Sequence, residues 1–213
     1  MELKTTTSEL KITKPNPDLM VAFSNKGLYI DQFVVGHTKP NGKCGAGSAA
    51  LHIYQNEDKS GEVMSVLNKA LIQYWDRFGA FFSFPLSHPI GVGRNPKLFN
   101  DYQELEDFLL DDVDANNLWM DYQWWQLLSN KFNITIHTLT SGSGAPRWTS
   151  VSHDPSLAMF EEHVKEVPDL YLIHSDENHF DILIHKNNPL MNTIDMKIKE
   201  KGTKDEKIFQ LKK

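Results

Sequence analysis

A single cysteine, Cys44, limits the ways in which this chain can hold a fold together. One thiol permits neither an internal disulfide nor a cysteine-based zinc site. The chain has 213 residues, 40% of them hydrophobic, which is enough to bury a sizeable core. We therefore predict one globular domain with polar appendages, stabilised by side-chain packing. Cys44 is then either a small buried hydrophobe or a reactive thiol.

The charge and hydropathy of the chain exclude several classes of partner. The 22 Lys and Arg residues against 28 Asp and Glu residues give a net charge of −6, which repels nucleic-acid phosphates. No apolar run reaches the roughly 18–20 residues of a membrane helix, and the N-terminus lacks the apolar stretch of a secretory signal. We expect a cytoplasmic monomer that binds no nucleic acid, does not span a membrane and uses no metal or other cofactor.

Composition divides the chain into three segments. Residues 1–20 are polar and contain two prolines, which predicts an N-terminal extension. Beyond Pro189 the apolar content falls, and residues 195–213 hold seven Lys against four acidic residues. We therefore predict a folded domain at 21–189 and a Lys-rich C-terminal tail, helical or disordered, at 190–213.

The order of apolar patterns along the domain predicts an α/β fold, with a small central sheet flanked by helices. Runs rich in β-branched and aromatic residues, or alternating apolar and polar ones, predict strands at 27–35, 133–140, 147–151, 170–174 and 179–185. Helical spacing predicts one helix that begins near residue 44. It predicts three further helices over about 62–78, 101–110 and 119–132. We expect one of Trp124 and Trp125 to be exposed, because neighbours on a helix face different sides.

The strand predicted at 179–185 opens with a base and an acid on one face. Side chains alternate along a strand, so His179 and Asp181 point the same way, with Cα atoms roughly 6.6 Å apart. At that distance the carboxylate can accept a hydrogen bond from the imidazole, fix its tautomer and stabilise its charged form. Such a pair is what a cysteine nucleophile needs as its base.

Cys44 itself follows the turn-forming run 39–42 and begins a predicted helix. The helix dipole lowers the pKa of a thiol at that position, and Gly45 and Gly47 would leave backbone N–H groups uncovered for an oxyanion. Taken singly, a lone cysteine is more often a packing residue, and an H-x-D sequence is usually a surface feature. Their combination, with the base remote in sequence, is typical of papain-like proteases.

The sequence resembles the OTU (ovarian tumour) deubiquitinases in three motifs within residues 27–186. The family's D-G-N-C loop corresponds to Asn41-Gly42-Lys43-Cys44, its Trp segment to Trp119-Met120-Asp121, and its final H-x-N/D strand to His179-Phe180-Asp181. The resemblance implies a papain-like cysteine isopeptidase of OTU type that removes ubiquitin from conjugates or chains through an acyl-enzyme intermediate. It implies Cys44, His179 and Asp181 as the catalytic triad, and Asn41, Gly42, Lys43 and Gly45 as the oxyanion loop.

The loop departs from the family pattern. Asn41 stands where the family has Asp, Lys43 stands where it has Asn, and the small residues 45–47 stand where it has bulky apolar ones. Such divergence is more typical of a bacterial-effector or viral member than of a eukaryotic one. For a secreted effector the implied location is the host cytosol.

Residues 101–114 contain seven acids and no Lys or Arg, which makes them the strongest local charge of the domain. The simpler interpretation is a solvated helix face with acids near the helix N-terminus. The resemblance implies a second interpretation, in which the acidic stretch binds the C-terminal tail of ubiquitin. OTU domains bind ubiquitin through a helical arm in this part of the chain, and that tail bears arginine. In that interpretation the substrate-binding residues are Asp111, Asp112, Asp114 and Trp119.

Other motifs are too incomplete to predict a function. The glycines at 42–47 lack the Lys of a phosphate-binding loop, those at 91 and 93 lack the third glycine of a dinucleotide fingerprint, and the nine histidines show no metal-ligand spacing. Two alternatives to the isopeptidase stay open. One is a non-catalytic ubiquitin-binding module with a degenerate catalytic loop, and the other is a triad cysteine hydrolase or acyltransferase that acts on a different acyl group.

Overall fold

The computed structural model describes two compact units of this chain. The residues that it describes are 6–9, 17–39, 42–78, 90–92, 95–97, 99–111, 115, 118–120, 122–141, 144–155, 168–175 and 179–188. The first unit holds those within 1–38, 137–149 and 171–213, and the second holds those within 39–136 and 150–170. The tail predicted at 190–213 lies outside the described residues.

Among the described residues, eight strands form two sheets. They are β1 (Thr6–Glu9), β2 (Phe33–His37), β3 (Ile90–Val92), β4 (Asn95–Lys97), β5 (Ile136–Ser141), β6 (Arg147–Val151), β7 (Leu170–Ser175) and β8 (His179–His185). Six of them make a sheet in the order β1-β2-β8-β7-β5-β6, around which the first unit is built, whereas β3 and β4 pair separately. Strand β2 is antiparallel to β1 and to β8, and β8 is antiparallel to β7.

A helix, α1 (Pro17–Asn25), contributes to the core of the first unit. Pro at the first helical position suits a helix start, and the helix ends in a Schellman motif. There the N–H of Leu28 donates to the carbonyl of Phe23 and the N–H of Gly27, at φ +72°, donates to that of Ser24. The turn directs the chain so that Phe23 packs edge-on against Phe33, with ring centroids 5.9 Å apart. The other buried members of this cluster are Ala22, Ile30, Val35, Leu139, Ile173 and Leu183.

The second unit is mainly helical, and it also contains the pair β3 and β4. Its helices are α2 (Cys44–Tyr54), α3 (Ser60–Gln73), α4 (Trp75–Phe78), α5 (Tyr102–Asp111) and α6 (Tyr122–Phe132). Helix α3 packs against α2, α5 and α6, which places it at the centre of the unit. The large side chains fully buried there are Leu51, Met64, Leu67, Leu71, Leu105, Leu118, Leu127 and Leu128. Their burial is the main stabilising contribution, at roughly 1.5–3 kcal/mol each before the loss of conformational entropy.

The predicted elements are confirmed where the local pattern is strong. A helix begins at Cys44, and strands β7 and β8 lie where alternation predicted them. The strand predicted over 27–35 is wrong in its first part, because Gly27 and Leu28 complete the cap of α1 and residues 30–32 form a 3₁₀ turn. The helix predicted over 62–78 is interrupted at Tyr74, whose backbone (φ −114°, ψ 26°) is not helical.

The N-terminal segment contributes to the sheet. Strand β1 and the start of α1 lie within 1–20, so the polar composition of that segment does not keep all of it out of regular structure. The domain boundary at residue 21 stays a prediction. Within the described part of the chain, no helix combines the length and the apolar content needed to cross a bilayer.

Candidate active site

Cys44 is the first residue of α2 and is buried, with 7% of its surface exposed. The chain turns into the helix because Gly42 adopts a left-handed φ of +80°, after which Lys43 occupies the N-cap. The N–H of Gly47 closes the first helical turn on the carbonyl of Lys43, 2.7 Å away. The N–H groups of a first turn carry no intrahelical bond, so this end of α2 favours a negative charge such as a thiolate.

The two glycines after Cys44 allow close packing of α2. A Cβ atom on Gly45 would lie 3.1 Å from the Cβ of Met120 and 3.2 Å from the Cζ2 of Trp125. A Cβ atom on Gly47 would lie 3.2 Å from the Cγ of Glu57. Both glycines are buried. The N–H of Gly47 donates to the carbonyl of Lys43, so the expectation that it is open to an oxyanion is wrong. The small size of the two glycines instead admits neighbouring side chains, and the oxyanion role of Gly45 stays a prediction.

Glu57 anchors the segment that leads to the cysteine. Its Oε1 accepts a hydrogen bond from the backbone N–H of Lys39 at 2.6 Å, and its side chain lies against Gly47. The ammonium of Lys39 pairs with Asp58, and this hydrogen bond raises the pKa of Lys39. Nothing in the sequence singles out Glu57, because a buried acceptor for a distant backbone N–H is set by tertiary structure. Asn41, the first residue of the predicted oxyanion loop, lies outside the described residues.

Trp119 lies against the turn that precedes Cys44. A Cβ atom on Gly42 would be 3.0 Å from the indole Nε1 of Trp119, so the turn requires glycine both for its φ and for this contact. Trp119 is 39% exposed and Tyr122 is 62% exposed, whereas Trp124 and Trp125 are both buried. The expectation that one of the latter two is exposed is wrong, because α6 is enclosed on both of those sides. Trp119 is therefore a partly exposed aromatic side chain beside the cysteine turn.

In the first unit, Asp181 is the centre of a hydrogen-bond cluster. The residue is 3% exposed, and its Oδ1 accepts from His179 Nε2 and from the backbone N–H of Thr38, each at 3.0 Å. Its Oδ2 accepts from His37 Nδ1 at 3.1 Å. The predicted pairing of His179 with Asp181 is therefore present, and a second histidine, His37, occupies the other carboxylate oxygen. Sequence reasoning missed His37 because its proximity depends on the register of β2 with β8.

The protonation of this cluster follows from its environment. Burial works to raise the pKa of Asp181, but the hydrogen bonds from His37 and from the N–H of Thr38, with the charges of the two histidines, hold that pKa below its usual value. Asp181 is thus an anion that only accepts hydrogen bonds, and each ring must present an N–H to it. The neutral ring of His179 then carries its proton on Nε2, which leaves Nδ1 as the basic nitrogen.

The acidic stretch after residue 100 caps a helix. Asp101 Oδ1 accepts from the N–H of Glu104 at 2.9 Å, and Glu104 Oε2 accepts from the N–H of Asn100 at 2.9 Å. This reciprocal arrangement resembles a capping box and explains two of the seven acids as stabilisers of α5. The structure describes no side chain for Asp111, and Asp112 and Asp114 lie outside the described residues.

The predicted site residues are divided between the two units. His179 and Asp181 belong to the first unit, and Gly42, Lys43, Cys44, Gly45 and Trp119 belong to the second. In the structure, Asp181 is hydrogen-bonded to His179, and Trp119 lies against the turn that precedes Cys44. The triad as a whole stays a prediction. Among the described residues, no group of three or more His, Cys, Asp or Glu side chains is arranged to hold a metal ion.

The fold of this chain is similar to that of solved OTU domains. The OTU domain of OTUD1 is 16% identical, with a TM-score of 0.50, over 80% of this chain and 99% of that one. The viral OTU domain protease from Farallon virus is 16% identical, with a TM-score of 0.51, over 73% of this chain and 86% of that one. No protein-family model and no curated protein matches the sequence. At this identity the similarity shows the fold, and it confirms the predicted α/β fold of OTU type.

Proposed function

We propose that this chain is a cysteine isopeptidase that removes ubiquitin from conjugates or chains. The observation that carries the proposal is the buried Asp181 carboxylate bound to His179, in a chain with an OTU fold whose only cysteine begins a helix. A structure of similar fold is described as a protease. The short separation in sequence also supports the proposal. Five residues, 39–43, lie between Thr38, whose backbone N–H donates to Asp181, and Cys44.

In the proposed reaction, Nδ1 of His179 takes the proton of the Cys44 thiol, and the thiolate attacks the carbonyl carbon of the isopeptide bond. Asp181 stabilises the imidazolium that forms. Collapse of the tetrahedral intermediate breaks the C–N bond, and the imidazolium gives its proton to the leaving lysine amine. A water molecule, deprotonated by His179, then hydrolyses the thioester and regenerates the thiol.

The oxyanion of the tetrahedral intermediate needs hydrogen-bond donors. We assign this role to backbone N–H groups of the loop residues Asn41, Gly42 and Lys43 and of Cys44 and Gly45 at the first turn of α2. The positive φ of Gly42 and the anchoring of Lys39 by Glu57 give this loop a defined entry to the helix. Preorganised donors of this kind need no rearrangement during the reaction.

Substrate binding is assigned to two surfaces. Trp119 offers a partly exposed aromatic side chain beside the cysteine turn, suited to an extended C-terminal tail. The acidic residues Asp111, Asp112 and Asp114 would attract the arginine-bearing tail of ubiquitin. Changing these three to Asn should raise KM and flatten its rise with salt between about 0.05 and 0.3 M, with kcat nearly unchanged. An unchanged KM and an unchanged salt slope would mean that these acids do not bind substrate.

The triad is tested by turnover of a ubiquitin conjugate. Cys44→Ala should abolish hydrolysis while folding and ubiquitin affinity persist, and His179→Ala should be comparably severe because triad members act as a unit. Asp181→Asn should be milder, since an amide can hold the ring but cannot stabilise its charge. His185→Ala is the matched control, because His185 lies at the other end of β8 and packs edge-on against Phe33. Hydrolysis retained in Cys44→Ala would end the proposal.

A further inference from the structure

His37 and His179 hold the same carboxylate from two strands. The register pairs Gly36 with Ile182 and Val35 with Leu183, so one further step brings His37 opposite Asp181. Residues in such positions point to the same face of the sheet. His37 therefore reaches Oδ2 across the strands, while His179, two residues along β8, reaches Oδ1.

The shared carboxylate fixes the proton positions of both rings. Since the anion only accepts, neutral His37 must carry its proton on Nδ1, and neutral His179 must carry its proton on Nε2. The N–H of Thr38 adds a third donor. Because both of its oxygens accept hydrogen bonds, the carboxylate of Asp181 has one preferred orientation. Its hydrogen bond to His179 then holds the imidazole ring in a fixed orientation as well.

We infer that His37 is a positioning residue that holds Asp181 for His179 and shares its negative charge, an inference that rests on the proposed function for its catalytic consequence. His37 acts through Asp181. It is the residue next to Thr38, so the end of β2 supplies both a side-chain donor and a backbone donor to the acid. This makes the predicted Cys-His-Asp triad a four-residue arrangement.

Nuclear magnetic resonance of the histidine rings tests this without substrate. In the full-length ¹⁵N-labelled chain, ring signals assigned by their loss in single variants should show an Nδ1–H tautomer for neutral His37 and an Nε2–H tautomer for neutral His179. His37→Leu removes one donor to Asp181 and should lower the Nε2–H fraction of His179, whereas His37→Asn, which keeps a donor near the place of Nδ1, should preserve it. His185→Asn, the control, should leave both tautomers unchanged. An equal Nε2–H fraction of His179 in wild type and His37→Leu would overturn the inference.

Kinetics provides the second readout. His37→Leu removes the donor and should lower kcat about 10-fold with KM within about twofold, whereas His37→Asn should recover most of the loss in kcat. Equal kcat values in wild type and both variants would refute the role of His37 while leaving the proposed function intact. A wild-type chain that hydrolyses no ubiquitin conjugate but shows the expected tautomers of both rings would refute the proposed function alone.

Discussion

Replacing Gly42 by Ala should destabilise the chain more than replacing Gly27 by Ala, although both glycines have a positive φ. At Gly27 (φ +72°) a new Cβ atom meets nothing within 4 Å, so the cost is the left-handed backbone alone, about 1–2 kcal/mol. At Gly42 (φ +80°) the Cβ atom would also lie 3.0 Å from the indole nitrogen of Trp119. Overpacking costs about 1–3 kcal/mol, and the exposed indole can move, so about 1 kcal/mol is added. The expected loss at Gly42 is therefore about 2–3 kcal/mol.

Urea denaturation of the full chain measures both losses. With an m-value of about 1–3 kcal/mol/M, a difference of about 1 kcal/mol separates the two midpoints by roughly 0.3–1 M. In a Trp119→Ala background the excess at Gly42 should disappear, because the indole that the methyl group meets is gone. Equal midpoints for the two glycine variants in the wild-type background, or an excess that persists without the indole, would refute this reasoning.

Three further predictions concern the local surroundings of single residues. Gly61→Ala, in open space on α3, should stabilise the chain by about 0.4–1 kcal/mol, whereas Gly45→Ala, against packed side chains, should destabilise it by about 1 kcal/mol; urea midpoints that shift in the same direction would contradict this. Burial lowers the pKa of His52, and this outweighs the raising effect of its hydrogen bond to Pro168. The contribution of His52 to the free energy of unfolding is therefore complete above the unfolded-state pKa of about 6.5, and it is lost as the pH falls toward the lower folded-state pKa. His52→Gln should therefore reduce the loss of unfolding free energy between pH 7.5 and 5.5, and an unchanged loss would rule out this origin. Glu57→Ala should cost about 1–3 kcal/mol in urea unfolding by stranding a backbone N–H, and Glu57→Gln should recover most of it; equal losses would point to packing instead.

Local patterns were sufficient to predict the parts of the site that lie on one element. The period of two along β8 places His179 and Asp181 on one face, and the observed hydrogen bond of 3.0 Å agrees. The turn residues before Cys44 and the small apolar residues after it predicted the start of α2. Both inferences need only neighbours in sequence, which is why they succeed.

The remaining site residues depend on contacts between distant segments. His37 meets Asp181 because β2 pairs with β8 in one register, and Glu57 meets Lys39 because the chain returns after α2. Neither proximity has a sequence signal. The burial of both Trp124 and Trp125 could not be predicted for the same reason. The helical pattern shows that the two side chains lie on different faces of the helix, but only contacts with distant segments bury both faces.

Reaction of the chain with ubiquitin that carries an electrophile at its C-terminus tests whether Cys44 is the nucleophile of a deubiquitinase. Because Cys44 is the only cysteine, intact mass locates any thiol adduct without further mapping. We expect one stoichiometric adduct in the wild type, none in Cys44→Ala and a much slower one in His179→Ala. A wild-type chain that binds ubiquitin without an adduct, or that reacts only with small electrophiles such as iodoacetamide, would contradict this expectation.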